Sequence, residues 1–331
     1  CYASRIDAVY LDPPYNRDGD GFLYKDGYRD STWLTLMAER LSLFRELLRE
    51  TGLFLVSIDD AEFAPLTLLA QSIFGDCNVV GPFVWKKKAG GGDDSGHIAI
   101  EHEYVAAFAR NSEKLVLQRI EHESAAMTAK YNRRENGRRY YLERLDKTSL
   151  TYSQEMDYPI VAPDGEEIWP PQPGPDRHTT IWRWSRKKVE ADRSKLEFLR
   201  EKKTGPWRVY TRTWEPDERG VTPRSLLADK EHGRNRDGTI EISNILWPKA
   251  FKNPKPLRLL EHLLKIATSE NAIVADFFAG SGSTGQAVLA LNRASNGKRS
   301  FILAEAGDHF ETILLPRVLR AASSSAWTKG K

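Results

Sequence analysis

Apolar positions follow two alternating spacings along the first hundred residues. Ile6 to Leu11 is a nearly continuous apolar run of strand length, broken only by Asp7. From Ser31 to Arg49 the apolar residues Leu34, Met37, Leu41, Phe44 and Leu48 recur every three or four positions. That spacing predicts one buried helix face, with Ser31 as its cap and Gly52 as its stop. LFLVSI, Leu53 to Ile58, returns to a strand pattern. Asp59 with Glu62 three residues on is a capping-box pattern and predicts a helix through about Phe74. Val79 to Trp85 and Glu103 to Phe108 are predicted strands. The loop between them, KKKAGGGDDSGH, carries Gly90, Gly91 and Gly92 and is expected to be mobile, a lid bearing the lysines at 86 to 88.

The last third alternates again. Pro256 to Thr268 predicts a helix opened by proline, with Leu259, Leu260, Leu263, Leu264 and Ala267 on one side. Ala272 to Phe277 predicts a strand, Thr284 to Leu291 a helix, Ser300 to Glu305 a strand, and Asp308 to Leu319 a closing helix. Strands separated by helices imply a parallel-rich, doubly wound sheet. The middle differs: periodicity is weak, arginine is dense, and Ala162 to Asp176 holds five prolines. The expected organisation is therefore a first half-domain at 1–110, an inserted region at 111–245 and a second half-domain at 246–331.

Composition narrows the class. The chain has 331 residues, 40% of them hydrophobic, and a net charge of +3. That supports a large buried core and excludes global disorder. Two cysteines make neither a disulfide framework nor a zinc set, and point to a reducing cytoplasm. His97 and His102 lack further ligand spacing, so no metal is expected. No apolar run reaches the roughly 20 residues of a membrane span. The first residue is Cys rather than Met, which leads us to expect that this is part of a longer protein.

Two stretches carry candidate chemistry. In LDPPYN, Leu11 to Asn16, the double proline ends a strand because it fixes φ and removes two backbone donors. Asp12 is thereby placed at the carboxyl end of that strand. A carboxylate and a backbone carbonyl held by a stiff turn make a pair of acceptors for an NH2 group, and Tyr15 offers a flat face for a base. A base amine buried in a duplex must be flipped out to reach such a pair. The second stretch, DFFAGSGSTG from Asp276 to Gly285, is a strand, a glycine turn and a helix start. It lacks the lysine of a phosphate-binding loop. Gly280, Gly282 and Gly285 fit a dinucleotide spacing loosely, so a dinucleotide, an adenosyl ligand and a purely structural turn all stay open. Glu305, about 20 residues on, suits a carboxylate that accepts from ribose hydroxyls.

DPPY followed at a distance by FAGSG resembles the amino-group DNA methyltransferases. The order, with the catalytic motif first and the cofactor motif last, resembles the β-class N6-adenine enzymes, and more closely the Mod subunit of type III restriction systems. The likeness runs through YLDPPYN, DSTWLTLMAERL, LFLVSIDDAE, HEYVAAFAR, FKNPKPLRLLEHLLKIAT, ADFFAGSGSTGQAVLALN and FILAEAGDHFETILLPRV. It implies a Rossmann-like S-adenosylmethionine-dependent fold in circularly permuted order, with a target-recognition domain inserted. It further implies that Asp12 and the carbonyl of Pro13, in a turn stiffened by Pro14, bind the adenine amine while Tyr15 stacks on the ring. Phe278, Gly280, Ser281 and Gly282 would line S-adenosylmethionine, with Asp276 at its methionine end, Glu305 on the ribose, and Lys255 and Pro256 beside the methionine. A cytosine-N4 enzyme uses the same amine logic, and an inactive DNA-binding remnant is a further alternative. The implied partners are double-stranded DNA, a second copy of the chain and a helicase–nuclease subunit.

From Arg177 to Arg236 there are 17 lysines and arginines against nine acids, with Trp182, Trp184, Trp207 and Trp214 interleaved. Cations neutralise phosphates and aromatic rings stack on bases. Arg183, Arg186, Lys187 and Lys188, the densest run, are the expected DNA contacts.

Overall fold

A computed structural model describes residues 2–16, 30–90, 97–120, 129–148, 151–174, 178–202, 205–215, 220–228, 230–328 and 330. The glycines at 91 and 92, the side chain of Ser31 and Arg177 lie outside these described residues. The chain forms two compact units, one of residues 1–120 with 221–331 and one of residues 121–220. The inserted unit is narrower than the expected 111–245. Leu226–Leu227 pairs with the sheet of the first unit, and Ile120 and Val221 bridge each other at the junction.

Strands are numbered along the whole chain, so the second unit holds β5 to β12. The first unit contains β1 (Ile6–Leu11), β2 (Leu48–Ile58), β3 (Val79–Lys86), β4 (His102–Ala109), β13 (Leu226–Leu227), β14 (Ile273–Asp276) and β15 (Ser300–Leu303). They form one sheet in the order β13-β3-β4-β2-β1-β14-β15. Only β4 runs against its neighbours among these strands. Between β3 and β4 the described residues include no helix to carry the chain back across the sheet, and the pair is antiparallel. The fold is doubly wound and Rossmann-like, with the strand order reversing beside β1.

Helices α1 (Asp30–Leu47) and α2 (Asp60–Phe74) cover one face, through Trp33, Met37, Leu41, Phe44, Leu66 and Phe74. Helices α5 (Leu257–Ala267) and α6 (Ser283–Ser295) cover the other. Leu259, Leu260, Leu263 and Leu264 on α5 are all but fully buried, each contributing about 2 kcal/mol of apolar transfer. Helices α4 (Asn235–Ile245) and α7 (Leu315–Ser323) pack together at the edge of this unit. Asp59 caps α2 as expected, accepting from the Ala61 amide at 3.0 Å. Gly52 does not end a helix. It lies in an irregular stretch of β2 where any Cβ would stand 2.9 Å from the Arg49 carbonyl oxygen, which only glycine avoids. No helix among the described residues is long and apolar enough to cross a membrane.

The second unit has its own core of Leu145, Tyr158, Ile160, Trp182, Leu196 and Val209. Its main sheet is antiparallel, β11 (Leu196–Arg200), β12 (Trp207–Trp214), β6 (Arg138–Arg144) and β5 (Arg133–Glu135) in that order. Short pairs complete it: β7 (Asp146–Lys147) with β10 (Ile181–Trp182), and β8 (Ile160–Val161) with β9 (Glu167–Ile168). Its one described helix of more than one turn, α3, spans Arg186–Ala191.

Candidate active site

Parallel pairing of β1 with β14 sets Val9 opposite Ala275. The residues that follow, Asp12 just past β1 and Asp276 at the end of β14, therefore emerge at the same carboxyl edge. The helices that follow these two strands, α1 and α6, pass to opposite faces of the sheet. The crevice that opens between such strands is where doubly wound proteins bind small ligands. Here it is a partly open cleft lined by Tyr10, Asp12, Lys255, Asp276, Phe278 and Gly280, among others. Asp12, Lys255, Asp276, Phe278, Gly280 and Ser281 of the sequence-predicted residues meet there. Pro13, Pro14, Tyr15, Pro256, Gly282 and Glu305 are not among its lining residues.

Asp12 belongs to a dense charged cluster. The Tyr15 hydroxyl donates to its Oδ1 at 3.0 Å, and Lys255 Nζ lies 3.1 Å from the same atom. Its Oδ2 has no protein partner among the described residues. Lys255 Nζ also donates to the Tyr15 oxygen at 2.6 Å and to Glu103 Oε2 at 2.9 Å. Lys87 Nζ closes the group with 3.0 Å to Glu103 Oε1. Burial pushes the Asp12 carboxyl above the ordinary carboxylate range, with Lys255 opposing. Burial acts on Glu103 in the same sense, but the Lys255 and Lys87 ammoniums outweigh it and hold that carboxyl below its usual value. Lys255 is pushed up: burial works against its charge, and the two acids more than compensate. In the double proline, the Pro14 carbonyl accepts from Trp33 Nε1 at 2.9 Å. Among the described residues nothing donates to the Pro13 carbonyl.

Lys255 reaches this cluster because its backbone is pinned. Pro254 to Pro256 are all buried. The Pro254 carbonyl oxygen comes so close to Gly238 on α4 that a Cβ there would sit 2.1 Å away. Glu241 accepts from the Leu257 amide at 2.8 Å, tying the start of α5 to the same helix.

The glycine turn is fixed from beneath. Gly280 and Gly282 have φ of 51° and 81°, left-handed values that suit glycine. Asp276 accepts from the Thr284 hydroxyl at 2.5 Å and from the Phe278 amide at 3.1 Å. Burial pushes its carboxyl up to about 7, those two hydrogen bonds opposing. No cationic side chain contacts it among the described residues. Glu305 accepts from the amides of Gly280 at 2.8 Å and Gly307 at 2.7 Å, and its side chain is covered, with His309 beside it. Arg317, fully buried, donates to the hydroxyls of Ser281 and Ser283 at 2.7 Å each, and to Gln286.

Neither Glu103 nor Gly238 nor Arg317 stands out in the sequence, and Lys87 does so only as part of a lid. Glu103 stands at the start of a predicted strand, where an acid reads as an edge residue. Lys87 was assigned to a mobile lid, yet it is tied to Glu103, and Lys86 to Glu101 at 3.2 Å.

In the second unit much of the basic excess is internally paired. Arg139 meets Glu215, Arg200 meets Asp164, Arg208 meets Glu201, and Arg212 meets Glu135 and Glu197. Arg183 is held by Glu143 at 3.0 Å and by Thr211. Arg186, Lys187 and Lys188 on α3 are exposed, with Arg186 over the Tyr158 ring and Lys188 over Trp184. Trp182 is buried core and offers no ring to a base, while Trp169 is 51% exposed.

A permuted doubly wound sheet, with an acid at one strand end sharing a cleft with the glycine turn after the next, defines a class of Rossmann-like proteins that bind a small ligand where the strand order reverses. The family model described as DNA methylase, of the N6/N4 methyltransferase type, matches residues 6–315, and the chain belongs to that family. It is 30% identical to the type III restriction-modification enzyme StyLTI Mod subunit of Salmonella typhimurium, over 91% of this chain and 49% of that protein. It is 28% identical to the type II methyltransferase M.KpnI of Klebsiella pneumoniae, over 91% of this chain and 75% of that protein. Among solved structures, the PvuII DNA methyltransferase (cytosine-N4-specific) aligns with 12% identity and a TM-score of 0.49, over 96% of this chain and 80% of that one. The chain spans about half the length of the Mod subunits it matches.

Proposed function

We propose that this protein transfers a methyl group from S-adenosylmethionine to the N6 amino group of adenine in DNA. The observation that carries the reading is the shared cleft, with Asp12 on one wall and the Phe278–Ser281 turn on another. The ligand preference follows from charge. Asp12, Asp276 and the Lys255 ammonium line the cleft; Lys255 is already engaged by Asp12 and Glu103, and Asp276 has no cationic partner among the described residues. A cationic ligand suits that floor better than the pyrophosphate of a dinucleotide, so the glycine turn is read as an adenosyl site. When bound there, S-adenosylmethionine would supply an electrophilic methyl on a sulfonium.

The rest is the work of the chain. An adenine amine is a poor nucleophile because its lone pair is delocalised into the ring. Asp12 Oδ2 and the Pro13 carbonyl accept its two N–H bonds, favour a more tetrahedral nitrogen and aim the lone pair at the methyl. Most of the rate then comes from positioning and fixed charge. As the N–C bond forms, the nitrogen grows acidic and its proton passes to Asp12, whose raised carboxyl suits an acceptor. Tyr15 stacks on the base, and Asp276 faces the cationic methionine end. Glu305 acts as a clamp on the Gly280 turn, and its part in holding the ribose is read as running through that turn. Gly282 and Pro256 shape the turn and the helix start without lining the cleft, so they act through Ser281 and Lys255.

The second unit is read as the target-recognition domain, docking double-stranded DNA through Arg186, Lys187 and Lys188. Arg183 acts within that unit, holding α3 to its sheet. The Mod relatives are subunits of type III restriction-modification enzymes; from that likeness we place the chain in such a system, and we further propose a helicase–nuclease partner, a homodimer and a cytoplasmic location. The test is transfer of tritium from methyl-labelled S-adenosylmethionine to duplex DNA, then digestion to nucleosides. N6-methyladenine is expected. N4-methylcytosine would move the activity to the other amine, and no labelled nucleoside would refute the reading.

A further inference from the structure

We propose that Glu103 is a positioning residue for this reaction: it shares the Lys255 ammonium with Asp12 and so keeps one oxygen of Asp12 available to the amine. The inference rests on the methyltransferase reading above.

The geometry is specific. Lys255 Nζ stands between two acids, 2.9 Å from Glu103 Oε2 and 3.1 Å from Asp12 Oδ1. The Tyr15 hydroxyl is shared in the same way, 3.2 Å from Glu103 Oε2 and 3.0 Å from Asp12 Oδ1. Glu103 thus has a hand on each group that holds Asp12. It enters from β4, where it pairs in register with Trp85 of β3, and the indole of Trp85 lies 5.6 Å from the same ammonium. Lys87 takes the second oxygen of Glu103 and fixes the carboxylate from outside. Both Lys255 and Glu103 are buried, with 9% of each side chain exposed. The cluster holds two acids and two lysines, so its formal charge balances.

Removing the Glu103 charge breaks that balance. A buried ammonium left with one carboxylate settles onto it, because an unpaired charge away from water is costly. Lys255 would then engage both oxygens of Asp12. The acceptor that the amine needs would be lost although Asp12 itself is intact. Glu103 touches neither the base nor the methyl donor in this scheme. Its effect runs through Lys255 and Tyr15, which separates it from a merely structural acid.

The experiment compares the full chain with Glu103→Gln, Lys255→Met and the double variant. Single-turnover methyl transfer to duplex DNA is measured at saturating cofactor, and S-adenosylmethionine binding is measured separately. Glu103→Gln is expected to slow transfer about 10- to 100-fold, the cost of a misplaced reacting group, while cofactor binding changes less than about threefold. Lys255→Met removes the charge through which Glu103 chiefly acts and leaves only its 3.2 Å contact with the neutral Tyr15 hydroxyl. Adding Glu103→Gln to it is therefore expected to cost less than about twofold more, a non-additivity typical of residues that act as a unit. If Glu103→Gln alone does not fold, Lys255→Met against the double variant carries the test by itself. A double variant slower than Lys255→Met by the full Glu103→Gln factor, or by about tenfold, overturns the inference, as does a Glu103→Gln protein with wild-type rate. Those results leave the methyltransferase reading standing. A wild-type chain that methylates no base removes that reading, and this inference with it.

Discussion

Asp276 gives the fold a pH dependence that can be worked out. Its carboxyl is pushed up to about 7 by burial, against the Thr284 and Phe278 hydrogen bonds. In the unfolded chain an aspartate titrates near about 3.9. The folded protein therefore holds this proton more tightly than the unfolded one. The stability it contributes is fully present below about pH 4 and is lost as pH rises through about 7. The offset of about three pH units corresponds to about 4 kcal/mol. Asp276→Asn keeps the shape and an acceptor oxygen but cannot charge. The assay is guanidinium unfolding of both proteins from about pH 4 to about pH 8. The wild type should lose about 1.4 kcal/mol per pH unit relative to Asp276→Asn across that window and level off above it. Glu241 and Glu261 are also raised, chiefly by burial, but they are present in both proteins and leave the difference unaffected; Asp12, raised chiefly by burial, acts on the difference through its charge, which helps to raise Asp276. Parallel curves for the two proteins would refute the reasoning. A cationic ligand above Asp276 favours its ionised form, so S-adenosylmethionine should bind the wild type more weakly below about pH 7, with proton release on binding.

Gly238→Ala would put a Cβ 2.1 Å from the Pro254 carbonyl oxygen; it should cost about 1–3 kcal/mol as overpacking does and slow transfer by moving Lys255, and an unchanged melting temperature would refute that contact. Tyr15→Phe removes the hydroxyl shared by Asp12, Glu103 and Lys255 but keeps the ring; single-turnover transfer should fall about tenfold, and further in Tyr15→Ala, where stacking is lost as well. Neutralising Arg186, Lys187 and Lys188 together should flatten the slope of log affinity for DNA against log salt by up to about three contacts' worth; an unchanged slope would take α3 off the DNA.

The first and last thirds were legible because their helices and strands bury whole faces. The leucines of α5 and the Asp59 cap read directly as structure. The middle was harder for a physical reason. In β12, WRVYTRTW, Val209 is buried while Arg208 and Arg212 reach acids of the same unit. A strand whose polar face is arginine reads as a charge run. The same pairing lowers the number of cations available to DNA and takes Arg183 out of the free set. In the site, DPPY and the glycine turn were visible as motifs. Glu103 and Lys255 lie 152 positions apart, and their pairing arises only when β4 and the 254–256 segment converge. Gly238 had no local signal, since its need for glycine comes from a carbonyl 16 residues away in sequence.

The central claim is that the Asp12 carboxylate accepts the amine that receives the methyl group. Asp12→Ala and Asp12→Asn test it, each assayed for single-turnover methylation of duplex DNA and for S-adenosylmethionine binding by calorimetry. Both variants should lose at least about 100-fold in transfer while binding the cofactor within about threefold of wild type. An Asp12→Ala protein that still methylates adenine within about tenfold of the wild-type rate would contradict the account.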